Sequence, residues 1–479
     1  MRRRSRLVKI PATGGGGGDG DYTPNLWVNP AGSDHSDSYT RAQILAAAGA
    51  KQWDTIGRAA WGSTNRGTPN TSEAAQAGDV VEVAAGTYST TGVDSRWGVA
   101  YLPANSGTVG SPIVFQTDGG VVTLTYSSGA GPMIGASQRD YVVWIGFSID
   151  EANAPSVSDT GPVVLHRTTG SRISRCVIDG NGDPELNDNH NGIRCEHSSH
   201  CRIDQCTIHD VLTQASDNTW VTSSNNGSGI MFYSAHATTI EHCEIYYCGT
   251  GIDVKGEVDG ENDNDGTIIR YNLIHHVGVA GIYFLSSTGT ASTPNLVYQN
   301  IVRDGSGGSG GIGVLVKAVY DTCYTRIVNN VVDTCKIGIA MADSTQVFVT
   351  GHNLVWNNIV SHCTEYGIQS VPSGNVDEAL VDWEHNIYHG NTVDCYDGTA
   401  RTLAQWQATY PSQDQATPAS ITSDPLYTNE AGDVFTLQGG SPALTLGVDY
   451  LDLDGDSSTT DTVPAGAYIT GSETIGVEA

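Results

Sequence analysis

The pair Gly-Ile recurs along this chain at steps of 22–37 residues, and this repeat limits the possible folds more than any other feature. The pairs are Gly192-Ile193, Gly229-Ile230, Gly251-Ile252, Gly281-Ile282, Gly311-Ile312, Gly338-Ile339 and Gly367-Ile368. A second pattern lies between them, in which Cys or Asn sits three residues after one apolar residue and two before another. Its central residues are Cys176, Cys206, Cys243, Asn272, Asn300, Asn330, Asn358 and Asn386. A unit this short cannot bury its own apolar face, so successive units must stack.

Apolar residues alternate within each unit with a period of two, which is typical of strands. Strands at a fixed spacing with variable insertions between them predict an all-β fold, a single-stranded right-handed parallel β-helix. The open end of such a solenoid must be covered. Residues 38–53, "SYTRAQILAAAGAKQW", have helical composition, and we expect them to form an N-terminal helical cap. The stretch "RTLAQWQATY" from Arg401 predicts a short helix after the last regular coil.

The second pattern predicts a column of stacked side chains inside the solenoid. Equivalent residues of successive coils lie about 4.8 Å apart, so asparagine side chains can hydrogen-bond along the column. Cysteine replaces asparagine in the earlier coils as a small buried residue. The chain has 10 cysteines and no C-x-x-C pair, and we interpret them as reduced core thiols.

Composition supports an all-β fold and excludes some partners. The chain is rich in glycine (58) and only 16% of its residues are charged. The formal net charge of −29 argues against nucleic acid and anionic membranes as partners. No run of about 18 apolar residues predicts a membrane span. An acidic polysaccharide would also be repelled unless cations bridge the two or basic groups are locally concentrated.

The N-terminal residues 1–21 combine a basic start with a run of glycines. No apolar core of signal-peptide length follows the basic residues. We therefore expect a flexible tail at residues 1–21 and one β-helix domain over residues 22–479. The expected location is a phage virion, or the cytoplasm for the chain as written, with action outside the cell as a further alternative.

Motifs at both ends of the chain resemble pectate-lyase-like right-handed β-helix proteins. The entry motifs are "NLWVNPAGSD", "AQAGDVVEVAAGTY" and "GSPIVFQTDGG", and the closing motifs are "SDPLYTNEAGDVFTLQGGSPAL" and "DLDGD…GAY". The resemblance spans roughly residues 22–470. It implies a carbohydrate-directed protein, because this superfamily includes polysaccharide lyases, some glycosidases and phage tailspikes. It also implies a homotrimer and contacts with other virion proteins through the tail as open alternatives.

The Gly-Ile strands predict where a site lies. If Ile252 and Val254 point inward, Asp253 and Lys255 point outward. The same alignment predicts these outward residues in chain order: Arg194, Glu196, Met231, Tyr233, Asp253, Lys255, Tyr283, Leu285, Gly313, Leu315, Ala340, Ala342, Gln369 and Val371. Charged and aromatic groups fall on the early coils and are followed by long insertions. We therefore expect a sugar-binding groove there, with Tyr233, Tyr283 and Met231 contacting the substrate.

Two chemistries fit these residues, and a third interpretation involves none. In β-elimination of a uronate polymer, Lys255 is the candidate base, and "GIDVK" resembles the strand that bears the catalytic lysine in several of these lyases. An arginine motif found in some of these lyases has no match in the next coil, "GIYFLSSTG", so Arg194 or Tyr233 would act in its place. In hydrolysis, Glu196 and Asp253 would form the carboxylate pair. A virion or surface protein used only for adhesion or structure remains the alternative.

The acidic loop after Lys255 is a candidate calcium site. Its carboxylates are Asp259, Glu261, Asp263 and Asp265. Oxygen ligands of this kind suit Ca²⁺, but their spacing does not match a known calcium loop, so a solvated turn stays open as the alternative.

Overall fold

The computed structural model of the protein describes residues 22–93, 95–151, 160–180, 190–211, 227–256, 264–285, 289–305, 311–317, 322–342, 350–371, 381–414, 417–430, 434–453, 458–469 and 473–477. Within these ranges most strands are short and pair in parallel with the equivalent strand one coil away. This pairing confirms the predicted parallel β-helix. The predicted tail, residues 1–21, lies outside the described residues.

Each coil contributes strands to two long sheets. In the described chain the first sheet has twelve strands. They are Leu26–Val28, Val80–Val83, Ile113–Thr117, Val142–Ile145, Arg172–Ser174, Arg202–Asp204, Thr239–Glu241, Ile268–Arg270, Asn295–Tyr298, Thr325–Val328, Asn353–Trp356 and Val381–Asp382.

The second sheet has twenty strands in the described chain and includes the strands that carry the Gly-Ile pairs. They are Gly86–Thr91, Val122–Ser128, Ile134–Ser137, Phe147–Asp150, Val163–His166, Val177–Asp179, Asn191–Glu196, Thr207–His209, Ser228–Tyr233, Glu244–Lys255, Leu273–Leu285, Ile301–Arg303, Ile312–Lys317, Val331–Asp333, Ile337–Ala342, Ile359–Ser361, Tyr366–Val371, Ile387–His389, Val393–Tyr396 and Ala400–Arg401. Three small two-stranded pairs complete the strands: Thr322–Cys323 with Thr350–Gly351, Tyr427–Asn429 with Val434–Leu437, and Gly447–Val448 with Thr462–Val463.

Two of the three helices in the described residues lie where the sequence predicts them, and the third, Ile56–Trp61, was not predicted. Arg41–Ala47 begins after Thr40, whose side chain accepts a hydrogen bond from the Gln43 backbone N–H in a capping box. A second helix, Ile56–Trp61, follows it, and Leu403–Thr409 forms the predicted helix after the last regular coil. A short 3₁₀ turn spans Pro442–Thr445. No helix in the described ranges has the length and apolar character needed to cross a bilayer.

The predicted column of amides and thiols runs through the interior. The Cys243 backbone N–H donates to Asn272 Oδ1 at 3.0 Å, and Asn272 Nδ2 donates to Asn300 Oδ1 at 3.0 Å. The chain continues with donor–acceptor distances of 2.9–3.1 Å through Asn330, Asn358 and Asn386. Every one of these asparagines is fully buried. Because each amide is satisfied by its neighbours, the column fixes the register of the coils.

The described parts of the C-terminal segment, residues 442–453, 458–469 and 473–477, lie along the outside of the later coils. Asn329 Nδ2 donates to the Pro464 carbonyl at 2.8 Å, and the Gly466 N–H donates to the Asn357 carbonyl at 2.7 Å. The segment covers apolar residues that point outward from successive short strands. These are Ile301, Val331, Ile359 and Ile387. It therefore buries a stripe that would otherwise face water.

Candidate functional site

The Gly-Ile strands present two outward columns of side chains on one face of the rod. The middle column contains Arg194, Met231, Asp253, Tyr283, Leu315, Ala340 and Gln369. The edge column contains His166, Glu196, Tyr233, Lys255, Leu285 and Lys317. Ile252 and Val254 are fully buried between them, so the predicted alternation is confirmed.

In one coil the predicted register was wrong. The sequence pattern placed Gly313 and Leu315 level with Asp253 and Lys255. The structure instead places Leu315 in the column of Asp253, and it brings Lys317 level with Lys255. The stretch "GIGV" allows two frames that differ by two residues, and the repeat alone did not distinguish them. Lys317 was missed for this reason.

The glycine of each pair is required by close packing between coils. A Cβ atom on Gly251 would lie 2.5 Å from the carbonyl oxygen of Gly281 and 2.6 Å from Ile274 Cγ2. Both contacts are shorter than carbon atoms tolerate, so a larger residue would push the coils apart. The spacing of the coils that carry the two outward columns near Asp253 therefore depends on this glycine.

Residues 95–101, hereafter the Trp97 segment, cross the early end of this face. Arg96 Nη2 donates to Glu196 Oε2 at 2.9 Å. Arg194 Nε donates to the same oxygen at 2.7 Å, and Arg194 is only 1% exposed. The Arg194–Glu196 pair, predicted on an open face, is thus buried beneath this segment.

His166 lies under the Trp97 ring. The two rings stack with centroids 4.0 Å apart, and His166 Nδ1 lies 3.2 Å from Ser137 Oγ. Burial is the main cause that lowers the pKa of His166 to about 4, so this imidazole is neutral at neutral pH. No sequence repeat links Trp97 to the Gly-Ile strands, which is why the sequence did not predict the contact.

Lys255 lies where the buried part of the face ends. Its Nζ is 5.3 Å from the centre of the Tyr233 ring, and Arg194 Cζ is 5.1 Å from the same ring. Both lie within cation–π range. Tyr233 and Lys255 are half-buried, so each has a surface that a substrate can reach.

Asp253 is a buried carboxyl without a full set of partners. It is 2% exposed, and its Oδ1 has no hydrogen-bond partner in the described part of the chain. Burial raises its pKa from 3.8 to about 7, although Lys255 and Arg194 oppose the rise. Burial, with a smaller contribution from Asp253, also raises the pKa of the neighbouring Tyr283 above 10. Met231, beside Asp253 in the same column, is 1% exposed and forms part of the floor.

The predicted calcium residues are only partly described. Asp259, Glu261 and Asp263 lie outside the described residues. Asp265 accepts a hydrogen bond from Thr293 Oγ1 at 2.8 Å, and its other oxygen lies 2.6 Å from His236 Nδ1. Both oxygens therefore already have partners.

Two other clusters in the described residues bring possible metal ligands together. Asp179, His209 and Asp210 form one, and Asp333, His362 and Glu430 form the other. His362 Nδ1 lies 3.0 Å from a carboxylate oxygen of both Asp333 and Glu430. Asp179 and His209 occupy equivalent positions of successive coils, so the coil register could have identified that pair.

A stack of rings on the short strands was also missed. Tyr246 lies between His209 and His275, with ring centroids 5.0 Å apart on each side and nearly parallel planes. The three residues occupy one register position in successive coils. The rings cover one another's faces, so this stack stabilises the coils and offers little flat surface to a ligand.

A family described as "Right handed beta helix region" matches residues 161–404. Among solved structures, the pectate lyase Pel9A is similar with a TM-score of 0.52 and 12% identity, over 94% of this chain and 97% of that chain. The Dettilon tailspike protein gives a TM-score of 0.43 and 13% identity, over 67% of this chain and 62% of that chain. The alginate lyase AlyGC gives a TM-score of 0.38 and 14% identity, over 73% of this chain and 55% of that chain.

At 12% identity the likeness to Pel9A shows a common fold and nothing about activity. The likenesses to the tailspike and to the alginate lyase are too weak to support an argument. No curated protein matches the sequence. The function must therefore be argued from the site.

Proposed function

Because the chain belongs to the right-handed β-helix family, in which coils hold outward side chains at regular spacing, we propose that it binds an acidic polysaccharide along the Gly-Ile strands and cleaves it by β-elimination. Lys255 is the proposed base. The supporting observation is its position: it is half-buried at the rim of the buried face, next to Tyr233 and level with Asp253 on the same strand.

The local charge of this face differs from that of the whole chain. Arg96, Arg194, Lys255 and Lys317 lie on or against the two outward columns, although only 23 basic residues occur in the sequence. Glu196 offsets part of this charge, and Asp253 is largely uncharged below a pH of about 7. This local concentration of cations fits a substrate with carboxylates.

The reaction needs no external reactant. The Lys255 amine removes the proton on the carbon next to the uronate carboxyl group. The electron pair forms a carbon–carbon double bond, the bond to the glycosidic oxygen breaks, and that oxygen takes up a proton. Tyr283, on the next coil, keeps its phenolic proton because burial raises its pKa, and we assign it as the proton donor.

The carboxylate of the substrate must be stabilised as negative charge develops. Arg194, the group predicted for this role, is buried and paired with Glu196, so it acts only through its charge beneath Tyr233, with Cζ 5.1 Å from the centre of that ring. A calcium ion, if bound, would add positive charge there. Among the described residues near Lys255, the orphaned Oδ1 of Asp253 fits a cation, but one carboxylate falls short of the six to eight oxygen ligands that Ca²⁺ takes. Calcium therefore stays a prediction, which a chelator tests.

Hydrolysis by paired carboxylates fits the geometry less well. Glu196 and Asp253 lie two coils apart, which corresponds to about 10 Å. Inverting hydrolases separate the two groups by about 6.5–9.5 Å. In addition, Glu196 Oε2 already accepts hydrogen bonds from Arg96 and Arg194, so this oxygen is occupied by two guanidinium groups and does not face a glycosidic bond.

The proposal is tested by incubating the protein with a panel of uronate polymers, with and without a chelator. Ultraviolet absorbance reports unsaturated ends, and a reducing-sugar assay reports total cleavage. Unsaturated ends support elimination, whereas reducing ends without absorbance indicate hydrolysis. Retention of a polymer without either signal indicates adhesion. A location on a phage virion and a homotrimer remain predictions from the sequence resemblance, and light scattering tests the second.

A further inference from the structure

The exposure of the edge column changes between Glu196 and Tyr233, one coil before Lys255. On the side of the earlier coils His166, Glu196, Arg194 and Met231 are each at most 5% exposed. From Tyr233 onward the edge column is half-buried, through Lys255, Leu285 and Lys317. Among the described residues, the edge column is therefore covered on the early side of Lys255 and accessible on the later side, whereas the middle column stays buried at Leu315 and Ala340.

The Trp97 segment covers this early side, and it is held at both ends. Next to the segment, the Val93 N–H donates to the Ala130 carbonyl at 2.8 Å. At its other end the Ala100 N–H donates to the Pro132 carbonyl at 2.8 Å. Between these points Thr160 Oγ1 donates to the Arg96 carbonyl at 3.2 Å.

The side chains of the segment hold it against the second sheet. Trp97 stacks on His166 at 4.0 Å, and Arg96 pairs with Glu196 at 2.9 Å. Arg96 also lies over the Trp97 ring, with Cζ 4.5 Å from its centre. Anchored in this way by backbone, ring and ion-pair contacts, the segment forms a fixed wall at this end of the face.

The accessible side carries a second cation. Lys317 lies two coils beyond Lys255 in the same column, at about 10 Å by the spacing of parallel strands. It is half-buried. A polyanion that places one carboxylate near Lys255 and continues along the rod passes Lys317, which can pair with a carboxylate further along.

We propose that the groove is closed at the Trp97 segment and that the enzyme therefore acts on chain ends. The terminal sugar meets the Trp97–His166 stack, and the remainder of the chain extends past Lys317. Cleavage then releases short unsaturated products of uniform length. This inference rests on the proposed function, because it assigns the direction and extent of the substrate at the same site.

The test follows viscosity, unsaturated ends and product sizes together on the polymer that the wild-type protein cleaves. End-on cleavage predicts that unsaturated ends accumulate while viscosity falls slowly, and that one short product dominates from the start. A rapid fall in viscosity with a broad range of intermediate sizes would overturn the closed groove while leaving elimination intact. Absence of any unsaturated product would instead overturn the proposed function, and this inference with it.

Two variants test whether the Trp97 segment closes the groove. Trp97→Ala should open the groove, so that viscosity falls faster for the same number of unsaturated ends. Tyr450→Ala is the matched control, because Tyr450 also forms an aromatic pair, with Trp356, but lies against the first sheet. It should leave the ratio of viscosity loss to unsaturated ends unchanged. If a folded Trp97→Ala protein shows an unchanged ratio of viscosity loss to unsaturated ends, the Trp97 segment does not close the groove.

Lys317→Gln tests whether the bound polysaccharide extends past Lys317. The half-buried Lys317 should contribute about two- to fivefold to the affinity for oligosaccharides long enough to reach it, and nothing for a disaccharide. Affinity is measured by calorimetry in the Lys255→Ala background, which prevents cleavage. Equal losses for short and long oligosaccharides would show that the chain does not run toward Lys317.

Discussion

Arg96 and Glu196 form an ion pair at 2.9 Å although 100 residues of sequence separate them. The same Glu196 oxygen accepts from Arg194, so one carboxylate compensates a guanidinium that is almost completely buried. The pair connects the Trp97 segment to the Gly-Ile strands and holds it against the second sheet.

Removing the Glu196 charge should destabilise the fold. Glu196→Gln removes the charge that pairs with the buried Arg194 and with Arg96, and breaking a buried ion pair in this way costs about 3–5 kcal/mol in the free energy of unfolding. Glu365→Gln is the control, because Glu365 pairs with Lys336 at 3.4 Å on the surface and should change stability by less than about 1 kcal/mol. Denaturant unfolding of both variants provides the measurement. Similar losses of unfolding free energy in Glu196→Gln and Glu365→Gln would show that the buried ion pair stabilises the fold no more than a surface pair does.

The asparagine column should be sensitive to a single truncation. Asn330 Nδ2 donates to Asn358 Oδ1 and to the Val297 carbonyl, and Asn330 Oδ1 accepts from Asn300. Asn330→Ala leaves several buried groups unpaired, each at a cost of about 1–3 kcal/mol. The exposed Asn429 serves as the control, and Asn429→Ala should be close to neutral. A wild-type unfolding midpoint for Asn330→Ala would argue against a stabilising column.

Asp253 makes stability depend on pH in a defined direction. Its folded-state pKa of about 7 lies above the ordinary 3.8, so the folded state holds the proton more tightly than the unfolded state does. The stabilisation that comes from this proton is fully present below a pH of about 4. It is lost as pH rises through about 7, which lowers the free energy of unfolding by about 4 kcal/mol.

The Asp253→Asn variant has no carboxyl group at this position, so it should not lose this stabilisation as pH rises. The stability of the variant relative to wild type should therefore increase by about 2–3 kcal/mol between about pH 5 and about pH 8. Denaturant unfolding at the two pH values measures the difference. A difference that does not vary with pH would mean that the Asp253 carboxyl ionises normally in the folded protein.

The cysteines should be unreactive until the protein unfolds. Nine of the 10 are free and buried in the described structure. Burial raises the pKa of Cys248 and of Cys335 to about 12, which keeps these thiols protonated and poorly nucleophilic. A thiol reagent should therefore modify at most one residue rapidly in the native protein and all ten in denaturant. Fewer than ten thiols under denaturing, non-reducing conditions would reveal disulfides.

Periodic features could be predicted from the sequence because one physical constraint repeats in each coil. The Asn272–Asn300 contact and the alternation around Asp253 follow directly from stacking of equivalent positions. The non-periodic contacts could not be predicted in this way. Trp97 reaches His166 through a segment outside the repeat, and no local pattern encodes that approach.

The register error at Lys317 shows that prediction from the sequence can also fail within the repeat. The two glycines of "GIGV", Gly311 and Gly313, permit two alignments, and only packing against the neighbouring coil selects one. Burial was the other property that the sequence did not reveal. Arg194 was correctly assigned to an outward position, but the Trp97 segment covers it.

The most direct test of the account compares elimination by the wild-type protein with that of Lys255→Ala on the same uronate polymer. Lys336→Ala, a surface lysine variant, and the circular-dichroism spectra of all three proteins are the controls. Loss of a general base predicts a fall of about 10²–10⁴ in the rate at which unsaturated ends form, with the fold intact. A folded Lys255→Ala protein that retains the wild-type rate would contradict the assignment of Lys255 as the base.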